Sequence, residues 1–392
     1  MADEIISLSA RLLQKFDSVL NTDLCRRLET LPPAEGKILY DHCITSQTVD
    51  TLNLLGWCCV HGLGTPRDPA KAVDWYTKSA DLGNPLAMCN LGHHHWLGDG
   101  VAQSDAKAFD WYRRSADLRH PIGIYYVGIC HLAGVGVARD EEKAITFFTE
   151  SATLGHCDAM TRLGRYLRDG VGVPADAKSA VDWFTKSALF GDPEAMYWLA
   201  SCLYEGVGVD KDDVKSVEWL LRAVELDHSG SMNDLGLCLL DGTGIPQDEK
   251  KGVEWLTQSA QYENPHAMEH LASCWSKGRG VQKSIPRALE YLCGALRLEQ
   301  DNADKKQGLE RRLRTMAKKL TVEDLTMWFD QEKEIVDLKA QVADLKTQVE
   351  TLRTELDFRP DGPGYDEARR HYTITALGAS APAPPFGRRK SV

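Results

Sequence analysis

Residues 87–116 read AMCNLGHHHWLGDGVAQSDAKAFDWYRRSA, and residues 159–188 read AMTRLGRYLRDGVGVPADAKSAVDWFTKSA. The two segments stand two periods of 36 residues apart, and the same frame runs through the chain between them and on both sides. Leu55-Gly56, Leu91-Gly92, Val127-Gly128, Leu163-Gly164, Leu199-Ala200, Leu235-Gly236 and Leu271-Ala272 mark it. A pair of glycines follows each time, as in Gly98/Gly100 and Gly170/Gly172, and then an aromatic residue: Trp75, Trp111, Phe147, Trp183, Trp219, Trp255 or Tyr291. A fixed period in the range of 20 to 50 residues is the mark of stacked supersecondary units.

Each unit reads as helix, loop, helix. The first helix spans about Pro85 to Leu97 in the second unit, with apolar positions three to five apart. A glycine inside it costs roughly 1 kcal/mol against alanine, so its recurrence points to close packing by a neighbouring helix, and Ala200 and Ala272 fit the same reading. The Gly-x-Gly loop frees backbone angles that other residues disfavour. An acidic residue then stands at or near the second helix start (Asp68, Asp105, Asp140, Asp176, Asp212 or Asp213, Asp248), where a carboxylate caps free amides. The second helix carries Ala72, Trp75, Tyr76, Ser79 and Ala80 on one stripe and ends near Gly83. One such hairpin cannot bury its apolar stripe alone, whereas seven stacked units make a continuous core.

This pattern resembles the Sel1-like repeat family, a relative of the tetratricopeptide repeat. The quoted segments follow its frame of Leu-Gly, Gly-x-Gly, Lys-Ala and Trp-Tyr, while His95, His131, Leu167 and Trp275 stand where the family has a tyrosine. The resemblance implies an all-α, right-handed α/α solenoid used as a scaffold or adaptor.

Net charge is −11, which argues against a nucleic-acid backbone as main partner, since such proteins carry a basic footprint. No apolar run reaches 18 residues, so no membrane span is expected. The start, MADEIISLSARLLQKF, lacks the basic and apolar regions of a signal peptide. Of eleven cysteines, Cys58, Cys130, Cys202, Cys238 and Cys274 share one phase in the first helix. The reading is thiols in helix–helix contacts in a reducing compartment, hence a cytoplasmic protein.

The flanks follow different patterns. Residues 1–50 hold an amphipathic stretch (Ile5, Leu8, Leu12, Phe16) and Leu39-Tyr40 one period before Trp75-Tyr76, and read as a helical cap or degenerate repeat. Residues 51–300 are the seven repeats. Residues 301–321 read as a capping helix with Leu309, Leu313 and Met316 on one face and arginines on the other. In residues 322–358, Ile335, Leu338, Val342, Leu345, Val349, Leu352 and Leu356 are spaced three and four apart, a coiled-coil heptad. It suits a homodimer, pairing with a different helix, or a single helix folded back on the solenoid. Residues 359–392 are rich in Ala, Pro, Gly and Arg and read as a mostly disordered tail, with Ser391 behind Arg388 and Arg389 as a candidate phosphosite.

No catalytic constellation emerges. His93-His94-His95 point about 100° apart on a helix and cannot converge on one metal ion. His-Glu-x-x-His, Cys-x-x-Cys and the phosphate-binding glycine loop are absent, as is a Ser-x-x-Lys with Lys-Thr-Gly partners, which leaves a hydrolase a remote alternative. No cofactor or metal is expected. The expected function is non-catalytic: a protein-interaction scaffold or adaptor, or alternatively a regulatory subunit that activates a partner enzyme. The residue before each Leu-Gly pair varies, while the frame around it does not. Asn90, Tyr126, Arg162, Trp198, Asp234 and His270, with Tyr197 beside Trp198, are therefore the candidate contacts for a protein partner on the concave face. Aromatic residues and arginine dominate interface hot spots.

Overall fold

A computed structural model describes residues 31–299 and 303–318. The N-terminal amphipathic stretch of residues 1–30, the heptad of residues 335–356 and the tail with Ser391 lie outside the described residues. Among the described residues there are sixteen helices and no strand. A lone helix α1 (Pro33–Ser46) comes first. Seven pairs follow: α2 (Val49–His61) with α3 (Pro69–Asp81), α4 (Pro85–Leu97) with α5 (Asp105–Asp117), α6 (Pro121–Ala133) with α7 (Glu141–Thr153), and α8 (Cys157–Asp169) with α9 (Ala177–Leu189). The last three are α10 (Pro193–Glu205) with α11 (Asp213–Val224), α12 (Ser229–Asp241) with α13 (Glu249–Gln261), and α14 (Pro265–Lys277) with α15 (Ile285–Leu298), before a final helix α16 (Ala303–Ala317). The architecture is an all-α repeat solenoid of paired helices. No helix among the described residues is long and apolar enough to cross a membrane.

The chain forms two compact units, Met1–Ser231 and Met232–Val392. In the first, the recurring glycine of each first helix lies under a ring of the second. A methyl group built at Gly56 would lie 2.5 Å from the Tyr76 ring, and one at Gly92 2.5 Å from Tyr112. Gly128 and Gly164 meet Phe148 and Phe184 in the same way. In these four pairs the ring leaves no room for a side chain, while in the second unit Gly236 meets Leu256 at 2.8 Å, so close approach by the second helix, aromatic or not, calls for glycine. Where the sequence has Ala200, the residue at the ring position is Leu220.

The ends of the helices follow from local chemistry. Each first helix stops at a glycine in the left-handed region, such as Gly98 at φ 72°, whose N–H bonds back to the His94 carbonyl at 2.8 Å. Side chains cap the second helices: Asp68 accepts from the Lys71 N–H at 3.0 Å and Asp176 from Ser179 at 3.0 Å. In the second pair the cap is Ser104 rather than Asp105, which occupies the first helical position, and in the last pair it is Ser284. Ser104 reaches the same amide one residue earlier, so Asp105 is left to favour the helix dipole alone.

The serine placed on the apolar stripe has a different use. Ser79 Oγ donates to the Val49 carbonyl at 2.7 Å, Ser115 to Pro85 at 2.8 Å, Ser151 to Pro121 at 2.7 Å and Ser187 to Cys157 at 3.1 Å. Each bond ties a buried second-helix residue to the opening carbonyl of its own first helix. That carbonyl already takes the fourth amide along its own helix, so the serine uses its second lone pair and in return finds an acceptor for its own buried hydroxyl.

Helix α1 packs Leu39, Tyr40 and Cys43 into the core formed with α2 and α3. In the second unit, α16 lays Leu309 and half-buried Leu313 and Met316 on the core of α13–α15, and Arg312 and Lys305 both pair with Glu269 of α14. The phase-sharing cysteines are buried thiols, and burial pushes Cys130 up to about 12.

Candidate functional site

The residues ahead of each Leu-Gly pair lie along successive first helices, and most are half-buried: Asn90, Tyr126, Arg162 and Trp198 in the first unit, Asp234 and His270 in the second. Leu54 at the same phase is buried at 2% exposure and belongs to the core. A regularity invisible in the spacing appears here. Each of three members lies on the core ring fourteen residues before it. Tyr126 stacks on Tyr112 with centroids 4.7 Å apart. The Arg162 guanidinium lies 5.5 Å from the Phe148 ring centre. Trp198 stacks on Phe184 at 6.3 Å. The variable residue is thus the cover of the preceding pair's core ring, and its chemistry is partly set by packing.

The aromatic and arginine cluster forms around α8. Arg162, Arg165 and Arg168 lie three residues apart, which keeps them on one side of the helix. Arg162 sits over Tyr125 at 5.9 Å as well as over Phe148. Arg165 pairs with Glu194 at 3.3 Å and lies 5.0 Å from Trp198, and Arg168 lies 4.2 Å from the same ring. Trp198 therefore has Phe184 stacked against it and two guanidinium groups over its ring, while its Nε1 donates to Glu194 at 3.3 Å. It works chiefly as a wedge between α8 and α10. Tyr197 meets Trp198 edge-on at 5.3 Å and His228 at 5.3 Å. Arg162, by contrast, makes no ion pair among the described residues and keeps its outer face half open.

Electrostatics sharpen this contrast. Burial raises the Tyr126 hydroxyl to about 12 and raises Tyr125 as well, although Arg162 opposes the shift at Tyr125. Asp158 keeps an exposed edge, yet the atoms packed around it strip enough water to raise its carboxyl to about 6, with Asp192 and Glu194 adding to the rise and Arg162 opposing it. The first turns of α8 and α10 thus crowd three carboxylates beside the arginine row.

The other candidates are more modest. Asn90 Nδ2 donates to Asn53 Oδ1 at 3.0 Å, joining α4 to α2. Asp234 accepts from Asn233 at 2.8 Å, and burial raises its carboxyl. Burial lowers His270. In the histidine triplet, His94 and His95 are buried and His93 is exposed, and the His94 ring meets the Asp99 carbonyl at 2.7 Å. Among the described residues no group of three or more His, Cys, Asp or Glu side chains is placed to hold a metal ion.

Sequence reasoning missed the histidine caps. His156 Nδ1 accepts from the Ala159 N–H at 3.3 Å and His228 Nδ1 from Ser231 at 3.1 Å, where Asn84 does the same for Leu86 and Ala87. Their common phase with asparagine and aspartate, the strong N-cap residues, was the available signal. Burial, with the nearby His120 adding to it, lowers His156 to about 4, which keeps Nδ1 free to accept.

Seven consecutive segments match the Sel1 repeat: residues 49–84, 85–120, 121–156, 157–192, 193–228, 229–261 and 265–296. Each begins at a first helix and contains one helix pair. A Sel1 repeat protein from Oxalobacter formigenes is 27% identical, with a TM-score of 0.58 over 64% of this chain and 100% of that one. A protective antigen of uropathogenic Escherichia coli displaying the same repeat fold is 22% identical, with a TM-score of 0.44 over 91% of this chain and 77% of its own. An immunity protein from Pseudomonas aeruginosa is 24% identical, with a TM-score of 0.38 over 61% and 85%. A comparison with curated protein sequences finds no match. Solenoids of this kind are typical of non-catalytic scaffolds and adaptors for protein–protein interaction. With its repeats matched one by one to helix pairs over most of the described residues, the chain belongs to the Sel1 repeat family.

Proposed function

We propose that the chain is a non-catalytic adaptor that holds a protein partner on the concave face of its first helices, and that the heptad of residues 335–356 brings two copies together. The observation that carries the first part is Arg162. It is a cation held 5.9 Å from the Tyr125 ring centre and 5.5 Å from that of Phe148, half open to solvent and without an ion pair among the described residues. Packing one side of the arginine against two rings limits its rotamers before any partner arrives, which lowers the entropy lost on binding. Tyr126 and Tyr197 flank it as the second-rank contacts, with Asn90, Asp234 and His270 further along the repeats. The wedged Trp198 supports the surface more than it offers one.

In this reading residues 1–50 and 301–321 close the ends of the repeat array of residues 51–300, because terminal units need a polar outer face. The heptad, with Ile and Val at one core position and Leu at the other, suits two parallel strands. Two copies joined there would present two binding faces and gain through effective concentration. The buried thiols at one helical phase support a reducing, cytoplasmic setting.

The test compares the full chain with a chain ending at Leu320, by sedimentation and by affinity co-purification. A full chain that sediments as a dimer, a shortened chain that sediments as a monomer, and one partner held by both support the reading. A partner lost on shortening assigns recognition to residues 322–358 and overturns the first-helix face.

A further inference from the structure

The packing frame of the repeats continues past the seven matched segments, which end at residue 296. Gly308, on α16, stands 36 residues after Ala272, on the phase of Gly56, Gly92, Gly128, Gly164 and Gly236. Trp328 stands 36 residues after the fully buried Leu292, on the phase of Tyr76, Tyr112, Phe148 and Phe184. In the pairs that keep the glycine, a methyl group built on it would lie 2.5–2.8 Å from the side chain 20 residues on. Gly308 and Trp328 are the same 20 residues apart.

Gly308 itself is bare. Among the described residues no atom lies within 4 Å of a methyl group built there, whereas every other helical glycine has one within 3.0 Å. A glycine inside α16 weakens that helix against alanine, and elsewhere in this chain the return is close packing. The face around it is open too. Asp304, Gly308, Arg311 and Thr315 follow at steps of three and four and are all exposed, while Leu309 and Leu313 on the neighbouring face lie on the core. Arg311 and Lys318 make no ion pair among the described residues, and α16 carries five Lys or Arg against Asp304 and Glu310.

We propose that residues 322–331 of the same chain, VEDLTMWFDQ, cover this face as the second helix of an eighth, degenerate pair, with the Trp328 ring over Gly308. The ring stands at the spacing that each glycine of the frame uses. The segment carries Glu323, Asp324 and Asp330 and no cation, opposite in sign to α16. Thr321-x-x-Asp324 has the form of a capping box, which leaves residues 318–321 to turn the chain, within the reach of a helix hairpin. Gly308 lies nine residues before the end of α16 and Trp328 seven after Thr321, rises of about 14 and about 10 Å, so an antiparallel return brings the two to nearly the same height. The Gly-x-Gly loop is missing here, and Asp324 stands at the phase of Ala72 and Ala288, which sets this pair apart from the other seven. Trp328 also falls one heptad before Ile335, so the coiled-coil seam starts at Ile335, on a helix already packed against the array. Two copies joined there would hold their arrays at a fixed angle rather than on a loose tether. Only that consequence rests on the dimer reading; the cover stands without it.

The test is amide hydrogen exchange by mass spectrometry on the full chain, for the native protein, Gly308→Leu, Trp328→Ala and the double variant. Circular dichroism and unchanged exchange over residues 51–260 check that each is folded. The account expects Gly308→Leu and Trp328→Ala each to speed exchange about tenfold in both residues 303–317 and residues 322–331. In the Trp328→Ala background the sign reverses: Gly308→Leu should slow exchange of α16 about fivefold, through helix propensity alone. Slower exchange of α16 on Gly308→Leu in the native background means an uncovered face and overturns the proposal. Protection of residues 322–331 that ignores Gly308→Leu overturns it as well, since the heptad alone then holds them. So does a response to Gly308→Leu that vanishes on dilution to monomer, because the cover then comes from a second copy.

Discussion

The two helices of one pair use the same period in opposite ways. The first helix varies its residue ahead of Leu-Gly from pair to pair, and three of those residues turn out to be packed: Tyr126 on Tyr112, Arg162 over Phe148, Trp198 on Phe184. The second helix keeps its aromatic phase in every pair and, in four of the seven, follows a tryptophan with an exposed cation three residues on (Trp75/Lys78, Trp111/Arg114, Trp183/Lys186 and Trp219/Arg222). Variation between repeats is therefore not the same as freedom to bind, and repetition is not the same as burial. What decides is whether a second group lies on the far side of the side chain. Arg162 is the member of the first-helix row with a ring beneath it and no ion pair among the described residues.

The contrast breaks most visibly at the glycines. Gly92→Val is expected to destabilise by about 3 kcal/mol, because its side chain overlaps the fully buried Tyr112 ring. Ala200→Gly, where the facing position is Leu220, is expected to cost about 1 kcal/mol, the helix propensity difference alone. Urea unfolding measures both. The sharper version is the pair Gly92→Ala and Tyr112→Leu: together they reproduce the Ala200/Leu220 pairing and should cost less than the two single changes added. Additive costs would show that the ring does not set the glycine.

The capping histidine gives the next effect. His156 titrates in the folded state near 4, below its ordinary value of 6.5. The unfolded chain then binds more protons between those values, so stability from this group is full above about pH 6.5 and is lost as pH falls towards 4, by up to about 3 kcal/mol. Asp158, raised to about 6, works in the other sense, since the folded state holds its proton longer, though its exposed edge weakens the effect. His156→Asn keeps a cap of the Asn84 kind without the titration. Its stability relative to the native protein should rise as pH is lowered from 6.5 to 4, and parallel curves would remove His156 as the cause.

Smaller effects separate the helices further. Ser115→Ala removes the bond to the Pro85 carbonyl inside the core and should cost about 1–2 kcal/mol, while the fifth pair already has Ala223 at that phase. Smallest is Arg119→Gly. Arg119 sits at φ 58° in the turn where Gly83, Gly155 and Gly191 stand in other repeats, so glycine should stabilise by about 1 kcal/mol. No gain in melting temperature would mean that the Arg119 side chain offsets its own strain.

Most of the fold was legible because it is local. Leu-Gly, Gly-x-Gly and the capping acids each describe a few neighbouring residues, and Pro85–Leu97 is the helix that the spacing marks out. What escaped depends on which helix surfaces meet. The serine bonds join residues 30 apart, and the stacking of Trp198 on Phe184 requires two pairs already in contact. Composition could nominate Trp198 as a hot spot, but nothing in the spacing says that Arg165 and Arg168 lie over its ring. Ser104 rather than Asp105 is the cap, and the period of 36 already held that answer, since Asp68, Ser104, Asp140, Asp176, Asp212, Asp248 and Ser284 share one phase; acidic character alone pointed one residue too far.

The adaptor reading stands or falls on Arg162. Full-length protein and Arg162→Glu would be used side by side in affinity co-purification with quantitative mass spectrometry, after thermal unfolding shows equal stability. The account predicts a protein partner recovered in fixed stoichiometry by the native chain and depleted about tenfold or more by the variant. Equal recovery by both would contradict it, and would place the partner away from the first-helix face.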